Sequence, residues 1–76
     1  MNKLNLITEA GNALEVNYEI AQAENIFGIT ITQGQEQRTE FFTEDKSKAE
    51  EILQFCVHNE ALIESLGDSI DSFYNI

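Results

Sequence analysis

The sequence predicts a single α+β domain in which an antiparallel sheet of three to four strands, running as a meander, is followed by two helices packed on one face of the sheet. Three observations predict it. Apolar and polar residues alternate at period two through the first half of the chain, the period changes to that of a helix at Thr43, and every link between segments is short. Short links favour antiparallel neighbours over crossovers, and strands followed by helices make an α+β layer pair. The sheet is assigned to residues 1–43 and the two-helix part to 44–76.

The first strand is read over Lys3 to Thr8, where Leu4 and Leu6 flank polar Asn5, and Ala10-Gly11-Asn12 supplies a turn. The second carries the cleanest signal: Leu14, Val16, Tyr18 and Ile20 point one way and Glu15, Asn17 and Glu19 the other. Such alternation means one buried face and one wet face. After a turn at Glu24-Asn25, Phe27, Ile29 and Ile31 alternate with Gly28, Thr30 and Thr32, a third strand rich in β-branched residues. Gly28, with no side chain to pack, marks a bulge or the close approach of an aromatic neighbour. A turn centred on Gly34 leads to a fourth strand over Gln37 to Phe42, placed at an edge because both of its faces are tolerant.

Ser47 followed by Glu50 has the spacing of a capping box, and Ala49, Ile52, Leu53, Cys56 and Val57 then recur at helical spacing. A helix of about ten residues is therefore expected to start near Lys48, with Glu50 and Glu51 in its first turn, where the macrodipole favours anions. Asn59 is read both as its stop and as the N-cap of a second, continuous helix from Glu60 to Tyr74. Leu62, Ile63, Leu66, Ile70, Phe73 and Tyr74 keep one phase across Gly67, which would let the helix approach the sheet closely. The predicted core comprises Leu14, Val16, Tyr18, Ile20, Phe27, Ile29, Ile31, Ile52, Leu53, Cys56, Leu66, Ile70 and Phe73.

Composition narrows the function classes. A chain of 76 residues buries a thin core and leaves no room for a spacious interior site. Fourteen acidic residues against four basic ones give a net charge of -10 at pH 7. Phosphate backbones and anionic bilayers repel such a chain, so its expected partner is a protein with a basic surface, with no direct nucleic acid and no membrane. The single cysteine, Cys56, excludes an internal disulfide framework, and no apolar run has signal-peptide or membrane-span length, a pattern that fits the cytoplasm.

No catalytic, cofactor-binding or metal-binding motif occurs, and a non-enzymatic role is expected. Cys56 and His58 lie two apart on a helix, pointing about 200° from one another, so thiol and imidazole cannot meet as nucleophile and base. Cys56 is read as a buried structural residue and His58 as a helix C-terminal cap. There is no second histidine, no cysteine pair and no acidic loop with calcium-ligand spacing, and the four glycines never approach phosphate-loop spacing.

Beyond Lys48 there is no Lys or Arg. On one continuous helix Glu60, Glu64, Asp68 and Asp71 would form a ridge roughly 16 Å long. Its charges would stand about 4.5 to 6 Å apart along the axis, the same order as the ~3.4 Å axial rise per phosphate on one DNA strand. With Glu50 and Glu51 these residues are the candidate partner-binding set. The plain alternative is a solvated face on an acidic protein.

Tyr18-Glu19-Ile20, Phe27-Gly28-Ile29, the Lys46-to-Cys56 helix and Ile70-Asp71-Ser72-Phe73 stand in an order that resembles a family of short proteins of unknown function from Gram-positive bacteria and their mobile elements. The likeness covers roughly Val16 to Tyr74. The chain departs from that family at Phe27, where tyrosine is usual, and in its last helix, which lacks a basic residue. The family carries no activity over, and the missing positive charge implies an acidic variant adapted to a different partner. Two roles follow as expectations. One is an acidic inhibitor of anti-CRISPR or DNA-mimic type that occupies a basic nucleic-acid-binding surface of a bacterial protein. The other is a host cytoplasmic adaptor or regulator, monomeric or homodimeric through its free edge strand.

Overall fold

The computed structural model describes residues 2–74; Met1, Asn75 and Ile76, which the predicted limits include, lie outside the described residues. Four strands, β1 (Asn2–Ile7), β2 (Ala13–Ala23), β3 (Ile26–Gln33) and β4 (Glu36–Thr43), form one antiparallel sheet in the order β1-β2-β3-β4. The helical part comprises α1 (Lys46–His58), a 3-10 turn (Ile63–Ser65) and α2 (Leu66–Tyr74). The expected α+β meander with its helices on one face is the observed architecture.

Strand register turns the period-two alternation into two unlike faces. Pairings such as Leu4↔Val16, Tyr18↔Ile31 and Ile20↔Ile29 stack the apolar residues on the side that meets the helices. Val16, Ile29 and Ile31 are wholly buried there, in one cluster with Tyr18, Ile52, Leu53, Cys56, Leu66 and Ile70. The other face stays open and is cross-linked by polar pairs. Lys3 Nζ lies 3.3 Å from Glu15, and the hydroxyls of Thr30 and Thr39 are 2.7 Å apart. Leu14, Ile20 and Phe73 line the rim of the core, and Phe27, expected inside it, is only half-buried.

Gly28 owes its place to a bulge. Phe27 pairs with Thr43 but Gly28 with Phe41, so Phe42 is an extra residue in β4. The two adjacent phenylalanines are thereby separated: Phe42 packs against the core while Phe41 is 42% exposed. A Cβ on Gly28 would fall on the Glu40 carbonyl oxygen and 2.7 Å from both the Glu40 carbonyl carbon and the Phe41 Cα. The close neighbour is thus backbone, not an aromatic ring.

Both helix starts differ from the sequence expectation. α1 begins at Lys46, because Asp45 Oδ1 accepts the N–H groups of Ser47 at 2.9 Å and Lys48 at 3.4 Å. Asp45 meets the orphan donors sooner than Ser47 could, so no capping box forms between Ser47 and Glu50. Glu50 and Glu51 fall in the second turn, and the anion at the helix start is Asp45 itself. The predicted continuous second helix does not begin at Glu60. Asn59 caps the end of α1, its side chain donating to the Phe55 carbonyl at 2.7 Å, and does not open a following helix.

The chain instead leaves α1 through a paired closure. Glu60 N–H donates to Val57 O at 3.1 Å and Ala61 N–H to Cys56 O at 3.0 Å, with Glu60 at φ 54. This is the Schellman pattern, whose left-handed position glycine normally fills. Leu62 then precedes the 3-10 turn, and α2 starts at Leu66 and runs unbroken through Gly67. Gly67 has nothing within 4 Å of a would-be Cβ, so it makes no close approach to the sheet. Glu60→Gly is expected to raise stability by about 1 kcal/mol, because an L residue is strained in the left-handed region by roughly that amount. Urea unfolding checks it, and an unchanged midpoint would contradict the strain.

Candidate acidic interface

The six candidate carboxylates are all exposed, but they do not form one ridge. Glu50 and Glu51 belong to α1, and Glu51 is tied to Lys48 at 3.4 Å. Glu60 sits in the left-handed closure after α1, outside any helix, which removes it from the predicted line. Glu64 lies in the 3-10 turn, and only Asp68 and Asp71 share α2. In α2 the buried residues are Leu66 and Ile70. Relative to Leu66, Asp68 and Asp71 are turned by about 200° and 140°, on the side away from the core and about 4.5 Å apart along the axis. The ~16 Å ladder is therefore reduced to this pair with Glu64 on the turn before it.

Charge is nevertheless one-sided. Lys3, Arg38 and Lys48 are engaged by Glu15, Glu40 and Glu51. Lys48 also lies 5.5 Å from the centroid of the Phe73 ring. No buried charged or polar residue occurs among the described residues. The carboxylates therefore owe nothing to the interior, and their field is directed into solvent.

Sequence reasoning missed a shallow groove beside this surface. Glu51, Gln54, Phe55, Val57, His58 and Phe73 line it, along the outer side of α1 and against α2. Phe55 and Phe73 meet edge to face there, with centroids 5.6 Å apart. The signal was Phe55 itself, an aromatic outside the apolar set of its helix.

Cys56 and Tyr18 are both structural. The Cys56 thiol is wholly buried, and burial pushes it from 9.0 to about 11. Tyr18 donates its hydroxyl to the Ala61 carbonyl at 2.6 Å, joining β2 to the chain just after α1. Burial, then the nearness of Cys56 and Glu60, raises it from 10.0 to about 12. Because the folded state holds both protons more tightly than the unfolded state, the stability they contribute is full below pH 9. It is lost as pH rises through 11 to 12. Melting temperatures should fall across that window, and native Cys56 should resist thiol reagents at pH 8. Tyr18→Phe should flatten part of the fall and cost about 1–3 kcal/mol near neutrality, since the Ala61 carbonyl loses its buried donor. Alkaline melts of both chains measure this; identical slopes would contradict the assignment to Tyr18.

Among the described residues no helix is long and apolar enough to cross a membrane, and no group of three His, Cys, Asp or Glu side chains converges as a metal site. Compared with known proteins, the chain matches no family model, no curated protein and no solved structure.

Proposed function

We propose that the protein is a non-enzymatic, cytoplasmic binding module: an acidic inhibitor, of anti-CRISPR or DNA-mimic type, that occupies a basic nucleic-acid-binding surface of a bacterial protein. One observation carries the reading. After Lys48 every acidic or basic side chain other than His58 is an exposed carboxylate, namely Glu50, Glu51, Glu60, Glu64, Asp68 and Asp71. A face that is merely solvated usually mixes both signs, and the like charges Asp68 and Asp71, three apart on α2, carry a small cost that a binding role offsets. With the regular ladder broken at Glu60, mimicry rests on the density of negative charge, not on phosphate-like periodicity.

The test uses the immobilised protein and a bacterial lysate. Retained proteins should bind nucleic acid, should be displaced by duplex DNA, and should elute steeply with salt. The double reversal Glu64→Lys/Asp68→Lys should lose them while its circular dichroism spectrum and melting temperature stay close to the parent's. Undiminished capture by that folded variant would sink the reading. A host adaptor of unknown partner is the second reading, favoured by exposed Phe41 and the Phe55/Phe73 groove. It predicts capture that tolerates salt and is lost on changing Phe41.

A further inference from the structure

The sheet ends in two strands that are hydrogen-bonded on one side, and β4 has features that select its own partner. Gly34 N–H donates to Glu15 O at 3.3 Å, which fixes the phase of the β2–β3 ladder. The even-numbered residues of β3 therefore bond towards β2 and Ile29, Ile31 and Gln33 bond towards β4. Their partners Glu40, Arg38 and Glu36 use their backbone groups on β3. Gln37, Thr39 and Phe41 consequently aim theirs outward, along a regular stretch that ends only at the Phe42 bulge. All three residues are exposed.

Charges on an edge strand ordinarily block pairing with any other strand. Here a single cation stands between two anions, Glu36, Arg38 and Glu40, so a block of one sign is not what is presented. For two copies of β4 meeting antiparallel, a two-fold at Arg38 sets arginine against arginine and Glu36 against Glu40. A two-fold at Glu40 sets glutamate against glutamate. A two-fold at Gln37 pairs opposite charges but overlaps only residues 36–38. With the two-fold at Thr39, Arg38 of each copy faces Glu40 of the other, both in closely spaced non-hydrogen-bonded positions. Gln37, Thr39 and Phe41 then supply the ladder. That register alone combines a long overlap with opposite charges at both facing pairs.

We propose that β4 is a self-pairing edge, through which two copies of this chain join antiparallel about a two-fold at Thr39 into one eight-stranded sheet. The axis stands perpendicular to the sheet, so both helical layers lie on the same side. Arg38 and Glu40, already 2.7 Å apart within each copy, become a four-charge cluster across the joint. The general repulsion between two chains of -10 is screened beyond about 8 Å at physiological salt, whereas the facing pairs are in contact. The β1 edge offers no comparable selection, since Lys3 is its single charge. This inference is independent of what the acidic surface binds.

Sedimentation velocity from micromolar to millimolar concentration at physiological salt tests it. The parent chain should dimerise. Arg38→Glu and Glu40→Arg should each weaken the dimer about tenfold or more, because two facing pairs turn repulsive. The double swap Arg38→Glu/Glu40→Arg should restore it. Circular dichroism establishes that each variant is folded, and cross-linking decides the matter should a single reversal unfold. Thr39 would face its own copy at about 5.5 Å between Cα atoms, within disulfide range. Thr39→Cys should therefore oxidise to a covalent dimer, with buried Cys56 uninvolved, and Asn5→Cys should not. A parent chain monomeric throughout, a dimer indifferent to both reversals, or cross-linking at Asn5→Cys would each overturn the proposal.

Discussion

Gly28→Ala is expected to lower stability by about 3 kcal/mol or more, a large share of what a chain of this length has. The added methyl would meet the Glu40 carbonyl and the Phe41 Cα, which are backbone atoms of the neighbouring strand. A rotamer change cannot relieve that contact. Either β4 separates from β3 or the Phe42 bulge is lost, and losing the bulge shifts Phe42 out of the core. Overpacking against side chains typically costs about 1–3 kcal/mol, and a clash with backbone belongs at or above the top of that range. A chain of this length has about 4–11 kcal/mol of total stability. Urea denaturation followed by circular dichroism reads the change; a loss below 1 kcal/mol would mean that β3 and β4 are not held in this register.

Leu66→Ala should cost about 2–5 kcal/mol, the range for emptying a buried leucine site. Its expected effect is also local. α2 has nine residues, shorter than a helix that holds itself in water, so its order depends on what Leu66 and Ile70 bury. Leu66 is wholly buried and joins the cluster with Tyr18 and Ile52. Its truncation should release residues 63–74 before the sheet melts, visible as hydrogen exchange that rises there first. Uniform exchange across sheet and helices would show a single cooperative unit instead. Because Glu64, Asp68 and Asp71 ride on this segment, the same variant scatters the carboxylates without altering any charge.

The sheet was readable because period two is a property of each residue's own neighbours. Leu14 to Ile20 and Phe27 to Thr32 state their inner and outer faces outright, and even Gly28 announced an irregularity. The helical part was harder, because its errors come from competition between groups that the sequence does not rank. Asp45 and Ser47 can both cap; Asp45 wins because its carboxylate reaches the N–H groups of Ser47 and Lys48 from outside the helix. Glu60 hides a left-handed turn that glycine would have advertised, and it satisfied the acidic spacing by coincidence. The candidate site was therefore legible in sign and in membership of the solvent-facing surface, but its geometry was not. Three dimensions were also needed to set Phe55 against Phe73 and to show which backbone groups of β4 have no strand beside them among the described residues.

The hydrogen bond from Tyr18 to Ala61 spans 43 positions in a fold whose strand pairs are all sequence neighbours. Closing such hairpins takes little loop entropy, whereas docking the helical layer closes a much longer loop. The chain has no tryptophan and two tyrosines, of which Tyr74 is half exposed. The emission of Tyr18 is then a built-in reporter of the moment at which the end of α1 is laid over the sheet.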